Sequence, residues 1–378
     1  MNTFRHFERT NALRITQTAL GTMLLGAVLL GTGLVSAQLF AQQTLDKALF
    51  YPLRKVYHSE IFQGHRRTDN YYEGWYFKQV SADGQHVFSL IPGVAYGRNG
   101  KDAHAFIQLI DGRTGQTDYH RFPIEDFRYS RRRFQVEIGN NSFGPAGLIV
   151  DIGEGKRRFR ADLSFSGGKA PPPKLLRPGI MGPFRYVPLL ETYHGLVSMD
   201  HTVTGQAKFG KASIDYNGGR GYIEKDWGYS MPTSWIWTQC NHFEREGVSF
   251  MCSIARVPAL GQVFPGFLGF LLVDGEVFQF ATYTGARVEG LAVEEHRVRF
   301  DIVAKNFRLE VRAVRAHTGT LQAPVAGAMN RRIAESVDAR IQLRLYDPKG
   351  RLLYEGSGQH AGLEVVGQLS ELLGEVPD

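Results

Sequence analysis

Cysteine is scarce in this chain: only Cys240 and Cys252 among 378 residues. Neither stands in a metal-ligand spacing, so no zinc or other metal centre is expected. Also missing are a P-loop, a dinucleotide-binding glycine fingerprint and the G-x-S-x-G turn of serine hydrolases. Their absence removes the common signatures of nucleotide, redox-cofactor and acyl-enzyme chemistry, and no cofactor is expected. Basic residues exceed acidic ones, 44 to 37, for a formal charge of +7. The basic clusters Arg66–Arg67, Arg131–Arg133, Lys156–Arg158 and Arg331–Arg332 are scattered, however, and no basic helix accompanies them. Nucleic acid is therefore not expected as a partner. A solvated surface explains the clusters, with weak attraction to an anionic membrane leaflet as the other reading.

Charge is absent altogether from Ile15 to Leu45. Arg5, Arg9 and Arg14 precede this run, and its apolar centre, Leu20–Leu39, is about long enough to cross a bilayer as a helix. Val35-Ser36-Ala37 has the small residues of a signal-peptidase site. Residues 1–45 thus read as a cleaved signal peptide or an uncleaved membrane anchor. Both readings place the rest of the chain outside the cytoplasm.

What the chain has in abundance is glycine, 43 residues, and phenylalanine, 25 residues. That composition leans towards strands and turns. The densest stretch is Gly218–Phe243, GGRGYIEKDWGYSMPTSWIWTQCNHF. Alternation in an extended chain puts Glu224 and Asp226 on one face and Lys225 on the other. In Trp235–Phe243 it puts Trp235, Trp237, Gln239, Asn241 and Phe243 together. A polar turn at Glu244–Gly247 and a return strand, Val248–Val257, complete a hairpin. Cys240 and Cys252 lie on its two arms, where a cross-strand disulfide and two reduced, packed thiols are both open. An aromatic face with a few amides suits either a packed core or a ligand cavity.

An earlier hairpin, Tyr71–Val80 with His86–Val94, echoes this one. Trp75-Tyr-Phe77-Lys-Gln79 aligns with Trp235-Ile-Trp237-Thr-Gln239 at a constant offset of 160 residues, pointing to an internal duplication. Short strands with turn signals fill the rest, and antiparallel barrels or sandwiches are expected. The Gly- and Pro-rich stretch Gly167–Pro188 reads as a domain connection or a long crossing loop. Ala316–Asp338 reads as an interruption with a helical turn near Arg331–Ser336.

The stretch GGRGYIEKDWG followed by WIWTQCNHF resembles the tocopherol cyclase family. So do YHSEIFQG and YYEGWYFK near the start, then MGPFRYVP, ETYHGLVSMDHTVTG, APVAGAMNRRIAES and GLEVVG. The resemblance covers roughly residues 50–370 in order. It implies an all-β fold of two tandem lipocalin-like antiparallel β-barrels, at 50–190 and 191–370, related in type to carotenoid hydratases. A barrel of this kind can hold one small ligand. The implied reaction is a cofactor-independent, intramolecular lyase step. A proton adds to a trisubstituted alkene, and a phenol oxygen captures the tertiary cation to close a chroman ring. Two alternatives stay open: acid-catalysed hydration of an isoprenoid, and non-catalytic carriage of a lipid or isoprenoid.

Protonating an alkene requires a carboxyl kept neutral by an apolar setting. Asp226 and Glu224 are the expected catalytic pair. Trp227, Trp235, Trp237, Trp75 and Tyr76 are expected to offer aromatic faces to the cation. Gln239, Asn241, Glu73, His58 and His194 are expected to orient the ligand's polar head. The expected partners are a hydrophobic small molecule, such as a prenylated quinol, and a membrane surface or the N-terminal anchor.

Overall fold

The computed structural model describes residues 51–259 and 261–373. The expected signal or anchor at 1–45 lies outside them. Among the described residues no helix is long and apolar enough to cross a membrane.

Two antiparallel sheets dominate. The first begins with β1 (Tyr71–Val80), β2 (Val87–Tyr96), β3 (His104–Asp111) and β4 (Thr117–Pro123). Four short strands follow: β5 (Phe127–Tyr129), β6 (Val136–Ile138), β7 (Asn141–Gly144) and β8 (Gly147–Ile152). It ends with β9 (Phe159–Lys169), β10 (Thr192–Phe209), β11 (Ala212–Asp215) and β12 (Gly219–Gly228). Its strand order is β4-β3-β2-β1-β12-β10-β9-β8-β7-β6-β5, with β11 attached to β10. The first strand pairs with the last, and the two edges are consecutive in sequence. That is an up-and-down barrel open at one seam.

The second sheet repeats the scheme. Its strands are β13 (Trp235–Cys240), β14 (His242–Phe243), β15 (Ser249–Ala259), β16 (Gln262–Val273), β17 (Glu276–Ala281) and β18 (Arg287–Glu294). They continue with β19 (Arg297–Val303), β20 (Arg308–Val314), β21 (Gly319–Val325), β22 (Ala328–Tyr346) and β23 (Leu352–Val366). The order is β17-β16-β15-β13-β23-β22-β20-β19-β18. Thus β1 corresponds to β13, β12 to β23, and the 18-residue β10 to the 19-residue β22. The fold is two tandem lipocalin-like barrels.

Three sequence expectations change here. Strands β10 and β12 belong to the first sheet, so the divide between sheets falls at 229–234 and not at 190/191. Gly167–Pro188 is accordingly the loop crossing from β9 to β10 within one barrel. The interruption at Ala316–Asp338 is the β21–β22 hairpin, because pairing with β23 overrides the weak local preference. Cys240 and Cys252 are free and buried, and they are not opposite: Cys240 faces Phe250 and Cys252 faces Thr238.

Most barrel strands alternate simply. In β9, Phe159, Ala161, Leu163 and Phe165 turn inward and the residues between them are exposed. The strands β1, β12 and β13 instead are buried on both faces. Trp75, Phe77, Ile223 and Trp227 fill the first barrel, and Ile236 and Cys240 the second. Tyr76, Tyr222, Trp235 and Trp237 form a third core where the two sheets pack against each other. The sequence echo is therefore out of phase. Trp75 and Trp235 occupy corresponding strands, but one points into its barrel and the other out of it. An odd shift in register exchanges the faces of a strand.

Candidate active site between the barrels

A cavity of about 200 Å³ lies between the two sheets. Each barrel has a hydrophobic core of its own, and this cavity lies outside both of them. Its walls come from β1, β2, β3, β10 and β12 on one side and from β13, β15, β16, β21, β22 and β23 on the other.

On β12, strict alternation aims Glu224 and Asp226 at the cavity and Lys225 away from it. Opposite Asp226 on β10 stands His194. Its Nδ1 lies 3.1 Å from Asp226 Oδ1 and its Nε2 lies 3.2 Å from Glu224 Oε2. Burial alone would lower the pKa of this imidazole. The carboxylates of Asp226 and then Glu224 override burial and hold it well above its ordinary value. Glu224 Oε2 is also the acceptor for Tyr222 Oη at 2.5 Å and Trp237 Nε1 at 3.1 Å. Three side chains thus converge on one oxygen of Glu224. His194, Glu224 and Asp226 could each offer a ligand atom to a cation, and these atoms lie within 4.8 Å of one another. As it stands, the imidazole bridges the two carboxylates with both nitrogens.

Two further glutamates complete the group, and sequence reasoning missed both. Glu364 on β23 lines the cavity and accepts from Trp235 Nε1 at 2.6 Å. Its register partners are Trp237 on β13 and Glu335 on β22. Burial raises its pKa to about 8. The Trp235 bond opposes that rise, and Glu224 and Asp226 reinforce it. Glu335, wholly buried behind it, accepts from Tyr76 Oη at 2.6 Å. Burial and the neighbouring Glu364 hold its carboxyl well above the usual range. Both glutamates lie in segments quoted for the resemblance, AMNRRIAES and GLEVVG, which was their available signal.

Aromatic rings enclose these groups. Tyr76 meets Trp237 edge-on at 5.3 Å and Tyr222 at 6.4 Å between centroids. Gly362 makes the Trp237 position possible: a Cβ there would stand 2.6 Å from the indole.

Of the expected site residues, Asp226, Glu224, His194, Trp235, Trp237 and Tyr76 line the cavity. The others do not. Gln239 and Asn241 share the correct face but lie further along β13, bonded to Lys78 Nζ and to Gly221 O respectively. Trp75, Trp227 and Glu73 point into the first barrel, where Glu73 pairs with Lys225. His58 is half-buried and paired with Glu60 at 2.7 Å. Alternation predicted which residues share a face, but not which face meets the cavity.

Comparison with known proteins gives this arrangement a context. Residues 177–367 match the model of the tocopherol cyclase-like family. The chain is 23% identical over 278 residues to "Tocopherol cyclase, chloroplastic" of Zea mays, covering 68% of this chain and 55% of that protein. It is 24% identical over 192 residues to "Probable tocopherol cyclase, chloroplastic" of Oryza sativa subsp. japonica, covering 48% and 40%. The chain thus spans about half the length of the curated relatives it matches. Among solved structures, the crystal structure of CghA with Sch210972 aligns with a TM-score of 0.50 at 11% identity, over 79% of this chain and 89% of that one. That likeness concerns the fold.

Proposed function

Because the chain belongs to the tocopherol cyclase-like family, we propose that the cavity binds a prenylated phenol or quinol and closes its chroman ring by acid catalysis. The observation that carries this reading is the convergence of Glu224, Asp226 and Glu364 with His194 in one aromatic cavity. Burial holds the Glu364 carboxyl protonated into the neutral range, as a general acid requires. Asp226 and Glu224 were the expected acids. Both are engaged by His194, and Glu224 also by Tyr222 and Trp237, so the acid's role passes to Glu364, whose pKa burial raises to about 8.

In this mechanism the Glu364 carboxyl gives its proton to the CH carbon of the trisubstituted double bond. Positive charge develops on the tertiary carbon. The faces of Trp235, Trp237 and Tyr76 stabilise it, at about 2 kcal/mol per desolvated face. The excess negative charge of Glu224, Asp226 and protonated His194 adds to this. The phenol oxygen then bonds to the tertiary carbon, and its proton leaves to the carboxylate cluster and returns to Glu364. Substrate and product are isomers, so no oxidant, reductant or co-reactant is consumed. The uncharged run at Ile15–Leu45 supports a place of work outside the cytoplasm.

The test is incubation of the full chain with a prenylated quinol in D₂O. The expected product is a chromanol carrying one deuterium on the ring carbon beside the new quaternary centre. Glu364→Gln should lower turnover by about 10²–10⁴-fold, the usual worth of general acid catalysis, while still binding the quinol. A tertiary alcohol as product would favour hydration. Tight binding without turnover would favour carriage. Wild-type turnover in Glu364→Gln would remove Glu364 from the mechanism.

A further inference from the structure

The cavity's lining grades from buried to open. Trp237 and Glu224 are each only 4% exposed. At the other end Phe184, Val257, Pro258 and Phe264 are half-buried, so this end is the mouth. Two elements frame it: the loop between β9 and β10, and the β15–β16 hairpin. Phe184 and Phe264 join them, ring to ring, at 6.0 Å.

The outward side of the same elements is unusual. Leu175, Leu176 and Leu189 are 77–78% exposed, Val263 is 53% exposed and Tyr186 49%. Single exposed apolar residues need no explanation, but several on one rim do. Leu189 also has φ of 59°, the left-handed region that costs a non-glycine residue about 1–2 kcal/mol. Its side chain recovers none of that by burial within the chain. Charge on these elements is mostly of one sign. The β9–β10 loop carries Lys174, Arg177 and Arg185 after Lys169 at the end of β9, against one acid, Glu191, which lines the cavity, and Arg185 turns inward over Trp227. Residues 257–273 contain no charge at all.

We propose that this rim docks on a lipid bilayer with anionic headgroups, seating Leu175, Leu176, Leu189 and Val263 among the acyl chains with the cavity mouth between them. Exposed leucines set directly between Lys174 and Arg177 match a headgroup–acyl boundary. Docked in this way, a hydrocarbon ligand passes from the bilayer into the cavity without crossing water. The surface is independent of the reaction inside, and it is distinct from the N-terminal run as a point of membrane contact.

The test keeps the full chain and reads position rather than binding. Both native cysteines are buried, so Leu176→Cys can be labelled selectively with a polarity-sensitive fluorophore. Ile149→Cys, on β8 and 54% exposed, serves as the control site away from the mouth. With phosphatidylglycerol–phosphatidylcholine vesicles carrying quenchers on their acyl chains, emission at position 176 should shift to the blue and be quenched several-fold more than at 149. The effect should weaken in phosphatidylcholine alone. Vesicle-bound protein whose 176 label is unquenched would overturn the proposal. That would mean the rim faces another part of the chain, another copy or a protein partner. Equal quenching at 149 and 176 would also overturn it, and undiminished quenching without phosphatidylglycerol would remove its anionic part. No substrate is needed, so failure here leaves the reading of the reaction untouched.

Discussion

Three successive residues of β12 carry charge, and their two faces treat it in opposite ways. Inside the first barrel, Lys225 Nζ meets Glu73 at 2.5 Å, Ser59 O at 2.8 Å and Ile61 O at 2.6 Å. It also lies over the rings of Trp75 and Trp227, at 4.6 and 4.9 Å. Glu73 accepts in turn from the backbone of Gln63 and Gly64 and from Tyr71. Every charge there has its counter-charge and its donors. On the outer face, Glu224, Asp226, Glu335 and Glu364 converge with one imidazole bridging two of them. Burial there holds the carboxyls of Glu364 and Glu335 above their ordinary range. A closed pair fixes the chain in place; a cluster short of cations stores acid.

Breaking the closed pair should give the largest effect. Lys225→Met leaves Glu73 buried without its counter-charge, which costs about 3–5 kcal/mol. Urea unfolding should show that loss. Glu364→Gln should show no loss of comparable size, and equal losses would collapse the distinction between the two faces.

The pH dependence of stability sharpens the contrast. The folded pKa of Glu364, about 8, lies above that of an unfolded glutamate. Its contribution is fully present below the unfolded value and is lost as pH rises through about 8. Wild type should therefore lose stability relative to Glu364→Gln between about pH 4.5 and 8. Thermal melts of both proteins across that range check this, and parallel curves would place Glu364 in an ordinary environment. The rate should follow the same group, falling above about pH 8 as the acid ionises.

Asp226→Asn should act more mildly. It removes one of the two anions that keep His194 protonated, and turnover should fall by about tenfold, the equivalent of one pKa unit. A loss as large as that of Glu364→Gln would return the acid's role to Asp226. The smallest effect is expected of Trp235→Phe. Its indole N–H stabilises the Glu364 anion. Losing it should move the alkaline limb of the rate profile to higher pH with the fold intact, and a shift to lower pH would contradict the bond's assigned role.

Much of this was readable in the sequence. Both hairpins, the shared face of Glu224 and Asp226, and the opposite placement of Lys225 follow from period-two alternation alone. The family resemblance supplied the barrels. Alternation has no absolute sign, however. Nothing local says that Trp75 points into its barrel while Trp235 points out, and so Glu73, Trp75 and Trp227 were assigned to the cavity. Gln239 and Asn241 fell on the correct face, but how far a cavity extends along a strand depends on what packs across it. Lys78 fills that place here. Glu364 and Glu335 were missed for another reason. Their segments were marked only by the resemblance, and the long-range register of β13, β22 and β23 is what brings them beside Trp237.

The pairing of first strand with last bears on how the molecule comes into being. Trp75 stands opposite Lys225, and Trp237 opposite Glu364. Chains emerge from the ribosome N-terminus first, and contacts between distant residues form slowly. Each opening strand therefore waits with one edge unsatisfied until nearly its whole barrel has been made. The carboxyls ride on the closing strands, Glu224 and Asp226 on β12 and Glu364 on β23. A nascent chain consequently owns no assembled proton donor. On the proposed reading of the reaction, the donor exists only once β23 has paired with β13, and a chain cut before β23 should be inert rather than an unguarded acid.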